Sequence, residues 1–190
     1  MNTTSIMIVG VGGQGTLLAS RLIGDVLIEK GCDIKLSEVH GMSQRGGSVV
    51  TYVKYGDKVY SPIVDAGEAD FILSFEAIEG ARWIGMLKKG GTIITNDRET
   101  YPMPVITGAM KYPENPTQKL AEKVNTVSVN ALEIAEKAGS AKAVNTVLLG
   151  VLSRFMPQIE EKAWLDAIQK TVKPAFVELN QKAFLMGKNA

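Results

Sequence analysis

The chain has 190 residues, 45% of them hydrophobic and 22% charged, with 19 glycines and 7 prolines, a globular composition long enough to bury about 70% of its unfolded surface without disulfides or metals. Lys and Arg total 21 against 20 Asp and Glu, and the resulting net charge of +1 builds no basic field for nucleic acid. The single cysteine, Cys32, excludes a disulfide framework and any all-cysteine cluster or zinc site made by this chain alone.

The first residues carry no basic group ahead of the short apolar run at 6–11, and the longest apolar stretch, 17–28, is broken by Arg21 and Asp25. Neither a signal peptide nor a span of about 20 apolar residues is expected, so the expected location is the reducing cytoplasm, with no membrane partner.

Residues 6–9, Ile-Met-Ile-Val, form an unbroken apolar run that suits a strand buried on both faces of a parallel sheet, and they enter Gly10-Val11-Gly12-Gly13-Gln14-Gly15 directly. Residues 16–30 predict a helix, because Leu18, Leu22 and Val26 recur every fourth position and Gly31 supplies a stop. A second strand is expected at 34–36, then a polar, glycine-rich loop at 37–47 and a β-branched strand at 49–53. The turn signal Tyr55-Gly56-Asp57 predicts a hairpin whose return strand is 58–60, ended by Ser61-Pro62.

Alternation resumes with a strand at 69–75, a helix at 77–87, a stop at 88–91 and a strand at 92–95. Segment 96–116 holds four of the seven prolines and reads as a long surface connection. A short helix at 116–123, a strand at 126–129 and a helix at 131–137 follow. The last third is helical throughout: Val144, Val147, Leu148, Val151, Leu152 and Phe155 form one stripe ended by Pro157, and further stripes begin at Trp164 and Phe176. The expected fold is α/β: a Rossmann-like three-layer sandwich with a largely parallel sheet, an inserted hairpin and a helical C-terminal third, forming one domain over residues 1–190.

The segment 10–15 matches G-x-G-x-x-G between a predicted strand and a predicted helix. Glycines let the backbone turn tightly and approach an anion, while the first N–H groups of the helix and its dipole point at that anion. Gly10, Gly12, Gly13, Gln14, Gly15 and the hydroxyl of Thr16 are therefore the candidate cofactor-binding residues. The same pattern also serves a tight strand-to-helix turn with no ligand. A dinucleotide site needs an acidic residue at the end of the second strand, where Glu38 stands, but the hairpin replaces the βαβ continuation and favours an anion or phosphate site.

Segment 37–48 concentrates Glu38, His40, Ser43, Gln44, Arg45, Gly46 and Gly47. Arg45 beside two glycines offers a planar guanidinium next to unobstructed N–H groups, a cradle for carboxylate or phosphate. His40 has no nameable carboxylate or nucleophile partner, so no catalytic residue is assigned. Glu76 and Glu79 are expected as solvated first-turn carboxylates, and Trp83 and Trp164 as core or interface anchors. H-E-x-x-H, paired cysteines, G-x-S-x-G and G-x-x-x-x-G-K-[ST] are all missing, so no metal ligand set is assigned and nothing performs covalent or redox chemistry unaided.

The segments G-V-G-G-Q-G at 10–15 and E-V-H-G-M-S-Q-R-G-G-S-V-V-T-Y-V at 38–53 resemble the beta subunits of indolepyruvate ferredoxin oxidoreductases, within the gamma-type domains of 2-oxoacid:ferredoxin oxidoreductases. The likeness continues through V-Y-S-P-I-V at 59–64, A-D-F-I-L-S-F-E at 69–76, the E-x-x-R of Glu79 and Arg82, L-K-K-G-G at 87–91 and N-x-K-A-F-x-x-G at 180–187, with little shared pattern at 96–116. The resemblance implies a complex that converts an aryl 2-oxoacid such as indolepyruvate, plus coenzyme A, to acyl-CoA and CO2 while reducing ferredoxin. Thiamine diphosphate, Mg and the iron–sulfur clusters would reside on a larger alpha subunit. This chain, inactive alone, would complete the active-site environment and help to hold coenzyme A or the oxoacid. The single cysteine and the lack of a second glycine after Tyr55-Gly56-Asp57, which a G-D-G thiamine motif requires, agree with that division. Two other readings stay open: a free-standing NAD(P)- or flavin-dependent oxidoreductase that uses the glycine fingerprint, and a non-catalytic scaffolding module.

Overall fold

The computed structural model describes residues 3–41 and 46–190. Its strands are β1 (Thr4–Val11), β2 (Asp33–His40), β3 (Ser48–Gly56), β4 (Ala69–Ser74), β5 (Leu87–Asn96) and β6 (Asn125–Val129). They form one mixed sheet in the order β2-β3-β1-β4-β5-β6. β1, β4, β5 and β6 run parallel, and β3 runs antiparallel to both β1 and β2. The apolar run of β1 is explained by its place: Ile6 and Ile8 enter the core on one face, Met7 and Val9 the core on the other.

The larger core lies under α1 (Thr16–Glu29), α5 (Ala131–Ala138), α6 (Val144–Ser153), α7 (Glu161–Thr171) and α8 (Val177–Lys188). The smaller core lies under α2 (Ala77–Arg82), α4 (Pro116–Ala121) and the irregular segment carrying Val64. A four-residue helix, α3 (Met103–Ile106), interrupts the proline-rich connection. The α/β three-layer expectation is met, as are the helical C-terminal third and the burial of Trp164.

The predicted hairpin is present but is made of other strands. Residues 58–60 form no strand; β3 instead returns along β2, from His40↔Val49 to Asp33↔Gly56. Segment 57–60 is held by a side chain rather than a ladder, since the Val59 N–H donates to Asp33 Oδ2 at 2.8 Å. The second strand is longer than 34–36 because its polar half, Ser37 to His40, forms a sheet edge that needs few apolar residues. The helix predicted at 77–87 ends at Arg82; a 3-10 turn at Ile84–Met86 follows, and the predicted stop at 88–91 belongs to β5. Gly91 is required there, because a Cβ would stand 2.9 Å from Asp70 O on β4.

Glu76 and Glu79 are not solvated: they are 3% and 4% exposed. Glu79 is satisfied, accepting from Ser48 Oγ at 2.6 Å and Arg82 Nε at 3.1 Å. Glu76 Oε2 has no hydrogen-bond partner among the described residues. Burial pushes the Glu76 carboxyl above its ordinary value; the Thr100 hydroxyl opposes that change, the Glu79 carboxylate adds to it, and Arg98 and Arg82 oppose it.

Helix α6 is buried at all ten positions and meets α8 at backbone distance. A Cβ on Gly150 would lie 2.1 Å from Phe184 O, and one on Gly187 would lie 2.1 Å from Val147 O. Two predictions arise from this packing and from Glu76. Gly150→Ala should cost about 3 kcal/mol, since the helices must separate, and an unchanged urea midpoint would show that they can do so freely. The folded Glu76 carboxyl binds its proton more tightly than the unfolded one, so its contribution to stability is fully present below about pH 4.5. That contribution should be lost as pH rises toward the folded value, at a slope approaching about 1.4 kcal/mol per pH unit. Glu76→Gln should flatten that part of the stability–pH curve, and an unaltered slope would refute the assignment.

Candidate functional site

The turn after β1 is set by its own residues. Gln14 folds back so that its Oε1 accepts from the Val11 N–H at 2.7 Å while its N–H donates to Val11 O at 3.2 Å. Gly10 leaves room for this loop, because a Cβ there would stand 2.7 Å from Gln14 Oε1 and 3.0 Å from Phe75 Cβ. Gly15 opens α1 at φ 90° and abuts Asn145, whose Nδ2 would lie 2.7 Å from an added Cβ. Gly10 and Gly15 are thus packing and conformational requirements, whereas Gly13, at φ 100° with open space around it, faces no such contact.

Helix α1 begins without a side-chain cap and without an acidic residue in its first turn. Its N–H groups and the positive end of its dipole stay available to a negative group. Thr16 is buried at the start of this helix.

The second sequence-predicted cluster is brought to the first. Gly12 N–H donates to Gly47 O at 2.9 Å and Gly46 N–H donates to Gly12 O at 3.3 Å, which carries the β1–β3 ladder past Val11↔Ser48 into both glycine segments. Glu38 and His40 stand at the free edge of the sheet, and with Gly12, Gly13, Gly15 and Thr16 they line a cleft of about 390 Å³. Glu38 Oε2 accepts from Thr51 Oγ1 at 3.4 Å, and His40 Nδ1 lies 3.3 Å from Gly41 O, with no carboxylate partner among the described residues. Ser43, Gln44 and Arg45 lie outside the described residues.

On the other side of the turn lies a larger cleft, about 610 Å³, at the carboxyl ends of β1, β4 and β5. That is the crevice where strand order reverses about β1 and where open α/β sheets place ligands. Its walls are Gly12, Gly13, Gln14 and Gly15, with Phe75, Asn96, Arg98, Thr100, Lys142 and Asn145 opposite. Asn96 is fixed by accepting from the Ala131 N–H at 3.0 Å and donating to Phe75 O at 3.3 Å. Asn145 is fixed through Thr146, whose hydroxyl donates to Asn180 Oδ1 at 2.7 Å.

Arg98, Lys142 and Asn145 line the candidate site and are missed by sequence reasoning. Arg98 sits in the proline-rich connection and Lys142 in a short turn before an apolar helix, so neither carries a motif. Asn145, a polar residue inside an apolar stripe, is the one available signal. Two cations, a glycine turn and an uncapped helix N-terminus together suit a phosphate or carboxylate; among the described residues nothing in this cleft supplies a nucleophile or an electron carrier.

Comparison with known proteins finds relatives along the whole chain. The family model for pyruvate ferredoxin/flavodoxin oxidoreductase matches residues 5–190. The indolepyruvate oxidoreductase subunit IorB of Thermococcus kodakarensis is 40% identical over 196 residues, covering 100% of this chain and 96% of that one. The IorB subunit of Pyrococcus horikoshii is 41% identical with the same coverage. Among solved structures, the gamma subunit of a keto/oxoacid ferredoxin oxidoreductase from Geobacter sulfurreducens superposes with a TM-score of 0.73 at 26% identity, covering 98% of this chain and 96% of that one. With the family pattern matched over nearly all of its length, this chain belongs to the pyruvate ferredoxin/flavodoxin oxidoreductase family.

Proposed function

We propose that this chain is the accessory subunit of a thiamine-diphosphate-dependent 2-oxoacid:ferredoxin oxidoreductase acting on an aryl 2-oxoacid, indolepyruvate being the first candidate. The observation that carries this reading is the full-length likeness to indolepyruvate oxidoreductase subunits. In the overall reaction the 2-oxoacid and coenzyme A give acyl-CoA and CO2, and the two electrons released pass to two ferredoxins. Thiamine diphosphate, Mg and the iron–sulfur clusters belong to the larger alpha subunit in this reading, which suits a chain with one cysteine.

The part left to this chain is binding and orientation. The glycine turn, with Arg98 and Lys142 across the cleft, holds an anionic group of coenzyme A or the oxoacid carboxylate against the N-terminus of α1. Arg45, which lies outside the described residues, is the further candidate for an anion-binding guanidinium.

Purification of the tagged chain from its native host without oxygen should bring down a large cysteine-rich polypeptide together with arylpyruvate- and CoA-dependent dye reduction. Recovery of the chain alone, with a bound dinucleotide and no such activity, would overturn the reading in favour of a free-standing Rossmann oxidoreductase. In the active complex, Arg98→Ala and Lys142→Ala should each raise the KM of the anionic substrate about tenfold or more, in line with about 1.5–3 kcal/mol for a charge-assisted hydrogen bond. Arg45→Ala should lower turnover with folding intact, and near-normal kinetics in that variant would remove Arg45 from the site.

A further inference from the structure

Helices α2 and α4 leave a further concavity, about 440 Å³ in volume, over the smaller core and apart from the glycine turn. Its floor is Ile78, Ala81, Ile84 and Leu120, with Pro113 and Pro116 at one end. Every ionisable side chain that lines it is cationic: Arg82, Lys119 and Lys123. Arg82 is engaged by Glu79 at 3.1 Å, whereas Lys119 and Lys123 form no ion pair among the described residues. The nearest carboxylate on the same segment, Glu122, accepts from Gln118 Nε2 at 3.4 Å, and Gln118 lines a different cleft on the far side of α4.

An apolar floor beneath two uncompensated positive charges is chemically asymmetric. Lys119 lies on α4 and Lys123 in the turn just after it, and both line the groove with no acidic residue in its lining. Water satisfies the lysines but not the floor. An occupant that satisfies both has apolar groups on one side and carboxylates on the other.

Pro113 follows Tyr112, whose ring packs on Tyr101 at 4.9 Å, and the connection beyond exposes Met103, Ile106 and Met110 by 66%, 63% and 65%. Pro113, in the groove lining, thus ends a connection that carries three more exposed apolar side chains, an exposure that suits a macromolecular occupant.

We infer that the groove between α2 and α4 seats an acidic, amphipathic segment of the large partner subunit, with its apolar side chains on Ile78, Ala81, Ile84 and Leu120 and its carboxylates on Lys119 and Lys123. The inference rests on the subunit reading above and adds a surface which that reading does not contain. The contact is electrostatically steered at its rim and held by apolar burial at its floor, so raised salt slows association more than it speeds dissociation.

The test uses the purified complex of this chain with its large subunit. Lys119 and Lys123 should lose reactivity toward acetic anhydride on assembly, while Lys137, exposed on α5, keeps its own; a zero-length carbodiimide should join the two lysines to Asp or Glu residues of the large subunit. Two variants follow. Ala81→Trp fills the groove from an exposed position, and Lys119→Glu with Lys123→Glu reverses the rim. Each should weaken assembly at least tenfold with the circular dichroism melt of the free chain unchanged.

Equal lysine reactivity in the free and assembled chain, or wild-type assembly by both variants, would overturn the inference while leaving the subunit reading intact. Failure of the wild-type chain to bind any thiamine-dependent large subunit would remove both. Native mass spectrometry that finds an amphipathic carboxylate on the wild-type chain and not on the variants, with assembly unaffected, would reassign the groove to a small ligand.

Discussion

Two backbone hydrogen bonds between the turn after β1 and the glycines before β3 hold the candidate site together. They exist because β3 is antiparallel to β1: the beginning of β3 therefore lies at the carboxyl end of β1, where the glycine turn is. A parallel strand in the same place would begin at the opposite edge of the sheet, and the glycines that precede it would enter the wrong side of the molecule. The inversion of one strand thus replaces the crossover helix of a dinucleotide fold with a hairpin, and a ribose-binding strand end with a second loop containing glycines. Glu38 is consequently on the edge strand, separated from β1 by β3, where it accepts from Thr51 and lines the smaller cleft beside the turn.

The elements with a strong period are legible in the sequence, and those defined by partners are not. β1, α1 and the C-terminal helices follow from unbroken or four-residue apolar patterns that only burial on two faces or one stripe produces. Residues 58–60 alternate like a strand, yet their backbone is taken by Asp33, a residue 26 positions away whose role no local pattern reveals. Ser37 to His40 reads as a loop because an edge strand needs little apolar surface. Glu76 and Glu79 look like ordinary first-turn carboxylates until Ser48, 31 residues from Glu79, is seen to donate to one of them. The glycine turn is legible as a candidate site, but its cationic opposite wall is not, since Arg98 and Lys142 come from irregular segments joined to it only by the sheet.

The C-terminal motif acts on that site from a distance. Asn180 on α8 accepts from Thr146, Thr146 donates its N–H to Asn145 Oδ1, and Asn145 packs against the φ-positive Gly15. Gly150 and Gly187 let α6 and α8 approach at backbone distance, which brings Asn180 within reach of Thr146. A side chain added at either glycine would shift α6, and with it the wall of the larger cleft, so the last helices position the turn as well as covering the core.

The electrostatics of the cleft depend as much on the silencing of its acids as on its cations. Two buried carboxyl groups, Glu76 and Glu79, follow the cleft residue Phe75 in the chain, and the Glu76 carboxyl senses the charge of Arg98. Glu79 is neutralised as an ion pair with Arg82 and a hydrogen bond from Ser48. Glu76 has an unpaired oxygen and is driven by burial toward its neutral form. With Glu79 paired to Arg82 and the charged form of Glu76 disfavoured by burial, the N-terminus of α1, Arg98 and Lys142 are the groups in this region that favour an anion.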